Sequence, residues 1–118
     1  MTMLDIQVTA TEAGPLMMLS GEADVTTVGQ LQEALDGQLA QGTLTLLVEV
    51  SGLRFADSAT IGVLISAARR LQARGGHLDL LSPPPALARM LTLLGVDQVL
   101  TVRNGPDPLS ADDPGPVD

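Results

Sequence analysis

The chain of 118 residues has no cysteine, no lysine, no tryptophan and no tyrosine, and only one phenylalanine, Phe55. Without cysteine it has no disulfide, no thiolate nucleophile and no cysteine-ligated zinc, and its composition suits a reducing compartment. Without lysine it lacks a P-loop lysine, a Schiff-base amine and the lysine that a phospho-aspartate receiver domain needs. A single aromatic residue leaves no platform on which nucleic-acid bases would stack, so the core must be packed from Leu, Val, Ile, Met and Ala. The one histidine, His77, stands at a predicted strand start with no second histidine to join it. It reads as a surface or capping residue rather than a metal ligand or general base.

Long apolar runs are also missing. None approaches about 18 residues, and the N-terminus shows no basic segment followed by an apolar one, so neither a transmembrane helix nor a signal peptide is expected. The reading is a cytoplasmic protein without a cofactor. The net charge is -8 and all six basic residues are arginine, which disfavours nucleic acid and anionic membranes as direct partners.

What is present is the pattern of one α/β domain. Leu4 to Val8 alternates apolar and polar residues, and Leu16 to Leu19 is a short apolar run, which predicts an opening hairpin. Val28, Leu31, Leu35 and Leu39 repeat at helical spacing, with a capping-box pattern at Thr27 and Gln30 and with Gly42 past the end. Leu44 to Val50 is apolar at nearly every position, as in a central strand covered on both faces. Ile61, Leu64, Ile65, Ala68 and Leu71 make a second helical stripe, ended by Gly75-Gly76. Arg69, Arg70 and Arg74 load its C-terminal turns, where they suit the helix dipole on a solvated face. Leu78 to Leu81 predicts a fourth strand. Ser82 and Pro83 to Pro85 open a third helix whose stripe is Leu87, Met90, Leu91 and Leu94, and Val99 to Val102 a fifth strand. The expected fold is a mixed sheet of about five strands with helices packed on it. From residue 104 to 118 the chain turns to Pro, Gly and Asp, with four acids and no basic residue, and is expected to be a disordered tail on a domain of residues 1 to 103.

The chemistry concentrates where the central strand gives way to the second helix, at Asp57-Ser58. A helix start presents unpaired N–H groups and the positive end of the dipole, so it suits a hydroxyl as cap or a phosphate as modification. Either Ser58 or Asp57 can serve as the cap, and Asp24 near the first helix start can be a cap or part of a docking surface. Thr60 adds a second hydroxyl, read first as bonding locally or pointing to solvent and otherwise as an alternative acceptor. An enzyme using Ser58 as nucleophile would have only His77 as a base, and no Gly-x-Ser-x-Gly elbow surrounds it.

Gly-Glu-Ala-Asp-Val-Thr-Thr-Val at 21 to 28, the run Val-Ser-Gly-Leu-Arg-Phe-Ala-Asp-Ser-Ala-Thr-Ile-Gly-Val-Leu at 50 to 64, Arg-Gly-Gly at 74 to 76 and Leu-Leu-Gly-Val-Asp at 93 to 97 together resemble STAS-domain anti-sigma factor antagonists. The resemblance spans about residues 3 to 103 and implies a STAS-like fold and a non-enzymatic phosphoswitch. It implies that Ser58 is phosphorylated by an anti-sigma factor with a histidine-kinase-like ATPase fold, and that the unphosphorylated form binds that kinase and frees the sigma factor. A PP2C-type phosphatase would reset the switch, and the partner-binding surface would gather Asp24, Asp57, Ser58, Thr60 and Gly62. The family commonly has Asp where Glu49 stands and Gly where Thr60 stands. The alternative the family offers is a scaffold subunit of a stress-signalling assembly or an accessory module of a membrane transport system.

Overall fold

The computed structural model describes residues 2–103; the expected acidic tail lies outside them. Strands β1 (Leu4–Thr11) and β2 (Gly14–Ala23) pair antiparallel around a tight turn. Helix α1 (Val28–Ala40), β3 (Thr45–Ala56), α2 (Ser58–Ala73), β4 (His77–Leu81), α3 (Pro85–Leu94), a short 3-10 turn (Val96–Gln98) and β5 (Thr101–Arg103) follow. The sheet has five strands in the order β1-β2-β3-β4-β5, with β2 to β5 mutually parallel. Right-handed crossovers that all step the same way along a sheet place their helices on one face. The core agrees: Leu31, Leu35 and Leu39 of α1, Ile61, Leu64 and Leu71 of α2 and Leu87 and Leu91 of α3 join Leu46, Val48, Val50, Leu78 and Leu80 of the strands in one buried cluster. It contains no aromatic side chain. On the other face Leu16, Leu47 and Leu81 make a second, smaller cluster with Met18 packed on it.

Several expected boundaries move, each for a local reason. The central strand does not end at Val50 but runs to Ala56. Ser51-Gly52 is an irregularity in the continuing strand, at a place where the β2–β3 register shifts. Gly52 is needed for close approach, since a Cβ on it would lie 2.9 Å from Cβ of Ser20. The capping box at Thr27 and Gln30 does not form. Gln30 donates instead to the Leu4 carbonyl at 2.8 Å, and the Thr27 hydroxyl donates to the Glu22 carbonyl at 3.1 Å. The third helix buries Leu87 and Leu91 but leaves Leu94 exposed. Val96 to Gln98 forms a 3-10 turn, so the last strand begins at Thr101 rather than Val99.

Two of the three arginines read as dipole partners on a solvated face tie helix to helix. Arg70 Nη1 lies 2.7 Å from Asp36 of α1, and Arg74 Nη1 donates to the Leu39 carbonyl at 2.7 Å, next to the last residue of α1. His77 is half exposed at the start of β4 and faces Asp79 Oδ1 at 3.5 Å, while Arg103 Nη2 holds the other oxygen of that buried carboxylate at 2.9 Å.

Candidate functional site

Because β2 and β3 are parallel and end together, their C-terminal ends bring the β2–α1 loop beside the start of α2. The Asp57 N–H donates to the Ala23 carbonyl at 3.1 Å, one step past the last strand pair. Ligands of open α/β sheets gather at this carboxyl edge.

Asp57 is the cap, and it does more than cap. Its backbone is extended, Oδ1 accepts from Thr60 N at 3.0 Å and from Thr60 Oγ1 at 3.1 Å, and Oδ2 accepts from Val25 N at 3.1 Å. One carboxylate thus joins the first turn of α2 to the loop before α1, across 32 positions of sequence. With Asp57 in that role, Ser58 becomes the first residue of the helix. Its side chain is exposed, and its amide and that of Ala59 are helix-start donors with no intrahelical acceptor. An exposed hydroxyl beside two free N–H groups, at the positive end of a 16-residue helix, can be approached from solvent and can carry an anion after modification.

The other expected residues sort by burial. Gly62 lies one turn on from Ser58 on the same exposed face, and a Cβ there would meet nothing within 4 Å. Asp24 organises its own loop. Its Oδ1 accepts from Thr26 Oγ1 at 2.6 Å and from Thr26 N at 2.8 Å, and these bonds, the hydroxyl first, hold the carboxyl below its ordinary value. Thr60 bonds locally, one of its two first readings, and does not point to solvent. It is fully buried, with 0% exposure, so it offers a partner no surface in this conformation, and its hydroxyl is spent on Asp57.

Three features of this edge escape sequence reasoning. Val25 is 71% exposed and Phe55 is 52% exposed, so the chain's only aromatic residue stands on the surface two positions before Asp57. Beside Phe55, a cavity of about 160 Å³ lined by Leu53, Ala56, Pro84, Leu87 and Met90 opens between the end of β3 and α3. Glu22 reaches back to the Met3 N–H at 3.2 Å and is clasped by Arg54, whose Nε donates at 2.8 Å. None of the three had a signal in the sequence, and for the lone Phe the general expectation is burial.

A mixed sheet with an opening hairpin, three helices on one face and a capped helix start at its carboxyl edge defines the class, and comparison with known proteins gives the family. The model for the Mlab, STAS domain matches residues 6–102. The chain belongs to this STAS domain family. Over 82 residues, 69% of this chain and 70% of the relative, it is 30% identical to an anti-sigma F factor antagonist of Lysinibacillus sphaericus. The crystal structure of an anti-sigma factor antagonist from Mycobacterium paratuberculosis superposes with a TM-score of 0.80 at 21% identity, covering 93% of this chain and 90% of that one. The Bacillus cell fate determinant SpoIIAA in its phosphorylated form superposes with a TM-score of 0.72 at 24% identity, covering 92% and 97%. No described helix is long and apolar enough to cross a membrane.

Proposed function

We propose that the protein is an anti-sigma factor antagonist controlled by phosphorylation of Ser58. Unmodified, it binds an anti-sigma factor serine kinase with a histidine-kinase-like ATPase fold and releases the sigma factor; phosphorylated, it lets the kinase go, and a PP2C-type phosphatase restores it. The observation that carries this reading is the exposed Ser58 at the first position of α2, beside a carboxylate already committed to Thr60 and Val25. The relatives' names and the phosphorylated SpoIIAA structure support it.

The physics of the switch is local. A phosphate adds about -1.5 to -2 charge where Ser58 and Ala59 N–H groups can meet it, so the fold has little reason to rearrange. A partner docked over Ser58, Gly62 and the Asp24 loop must instead desolvate a dianion next to Asp57, and each 1.4 kcal/mol of penalty is about tenfold in affinity. Asp57 contributes by holding the loop and the helix start in one surface, and Thr60 by holding Asp57. Nothing in this cycle asks the chain itself to catalyse a reaction.

The test is phosphopeptide mapping after incubation with the kinase and ATP, followed by calorimetric titration of variants. Ser58→Ala should bind the kinase and accept no phosphate. Ser58→Asp and Ser58→Glu should fold normally and bind at least about tenfold more weakly. Phosphate found only on Thr60, or equal affinity for all these proteins, would overturn the reading.

A further inference from the structure

The end of β3 turns an apolar side chain out of the core. Gly21 pairs with Leu53 and Glu22 with Phe55, so Arg54 is an extra residue that β2 does not match. Side chains two apart on a regular strand share a face, and without this bulge Phe55 would follow Leu53 into the core. With it, Ala56 packs against the core and Phe55 is 52% exposed. A single exposed apolar residue needs no explanation, but Phe55 borders a cleft.

The cleft exists because β3 runs on to Ala56 while its pairing with β4 ends at Glu49 and Leu81. Beyond that last pair, Phe55 and Ala56 together with Pro84, Ala86 and Met90 line a space of about 160 Å³. An apolar cavity of roughly 150 Å³ holds a benzene ring, so this space suits one leucine, methionine or phenylalanine side chain. The charged side chain of the lining, Arg54, is held by Glu22. A free small ligand is oriented by a few polar groups, and the lining side chains leave none for it. The occupant they fit is an apolar side chain carried on another chain.

Position says which chain. Phe55 lies two residues before Asp57 and three before Ser58, and Val25, 71% exposed, donates its N–H to Asp57 at 3.1 Å. The cleft therefore continues the surface around Ser58. We propose that it seats one apolar side chain of the anti-sigma factor, packed against Phe55, as the anchor of the contact that Ser58 switches. The inference rests on the reading of the protein as an anti-sigma factor antagonist. Binding energy concentrates in a few desolvated aromatic and aliphatic anchors, so a phosphate on Ser58 opposes a contact whose affinity comes largely from beside it.

The test is calorimetric titration of the full-length protein and its variants with the anti-sigma kinase, followed by phosphopeptide mapping after ATP is added. Phe55→Ala truncates an exposed ring, and Ala86→Leu fills the cleft from an exposed position of α3, so both should melt with the parent. Each should bind the kinase at least about tenfold more weakly and still take phosphate on Ser58 at saturating kinase. Val8→Ala, at an exposed apolar position of β1, should bind as the parent does. Parental affinity in either cleft variant, with phosphate on Ser58, would overturn the anchor and leave the switch standing. A parent that binds no anti-sigma kinase, or takes its phosphate elsewhere, would remove the switch and the anchor with it. Equal weakening by Val8→Ala would overturn the anchor as well. So would self-association of the parent that Phe55→Ala abolishes, since the cleft would then belong to a second copy.

Discussion

Asp57 is where one residue decides the most. Its two oxygens hold Thr60 and Val25, so Asp57→Ala removes a helix cap and the link to the α1 loop together. A lost cap costs about 0.5 to 2 kcal/mol, and denaturant titration of Asp57→Ala should fall at the upper end of that range. Loss of the link also predicts faster hydrogen exchange at Val25 N–H, which a cap alone would not change. Asp24 gives a pH test. Bonds from Thr26 lower its folded pKa below the ordinary 3.8, so the turn it closes is fully supported above that value. The support is lost as pH falls through the lowered folded pKa. The Thr26 amide resonance should therefore titrate with a midpoint below 3.8, and a midpoint at or above it would show that the turn is not formed in solution. Asp57 and Ser58 were legible as a capping step from sequence, but which of them capped was open. The extended backbone at Asp57 and its reach to Thr60 N decide it.

At the scale of elements, α2 is the part most completely written in its own periodicity. Of the predicted stripe, Ile61, Leu64, Ala68 and Leu71 are buried and Ile65 is partly buried, because a helix facing a sheet must bury one stripe. Leu64 is 1% exposed; Leu64→Ala should cost about 2 to 5 kcal/mol, read by denaturant midpoint. A loss under about 1 kcal/mol would place that face outside and turn Ser58 inward. The arginines of α2 were legible as charges but not as ties to α1, since Asp36 and Arg70 lie 34 positions apart. That pair is exposed on both sides and screened by solvent, so it contributes little on its own. Strand β3 was half legible: the apolar run Leu44 to Val50 marks its first half, and its continuation to Ala56 follows only from pairing with Ser20 to Ala23 of β2.

For the whole molecule, the family match ends at residue 102, and the apolar periodicity ends there as well. Removing residues 105 to 118 should leave the thermal midpoint unchanged within about a degree, since segments of this composition bury too little apolar surface to repay ordering. A fall of several degrees would mean that the tail packs on the domain.

Period, punctuation and composition by themselves determined the order of strands and helices, the aliphatic core and the helix start that bears Ser58, because each is a matter of near neighbours along the chain. Only the tertiary structure decided that Asp57 speaks to Val25, that Thr60 is buried and that Phe55 is exposed. Those facts depend on parallel pairing and on the twist that brings strand ends together, and no local pattern encodes the distance between residues that folding makes adjacent.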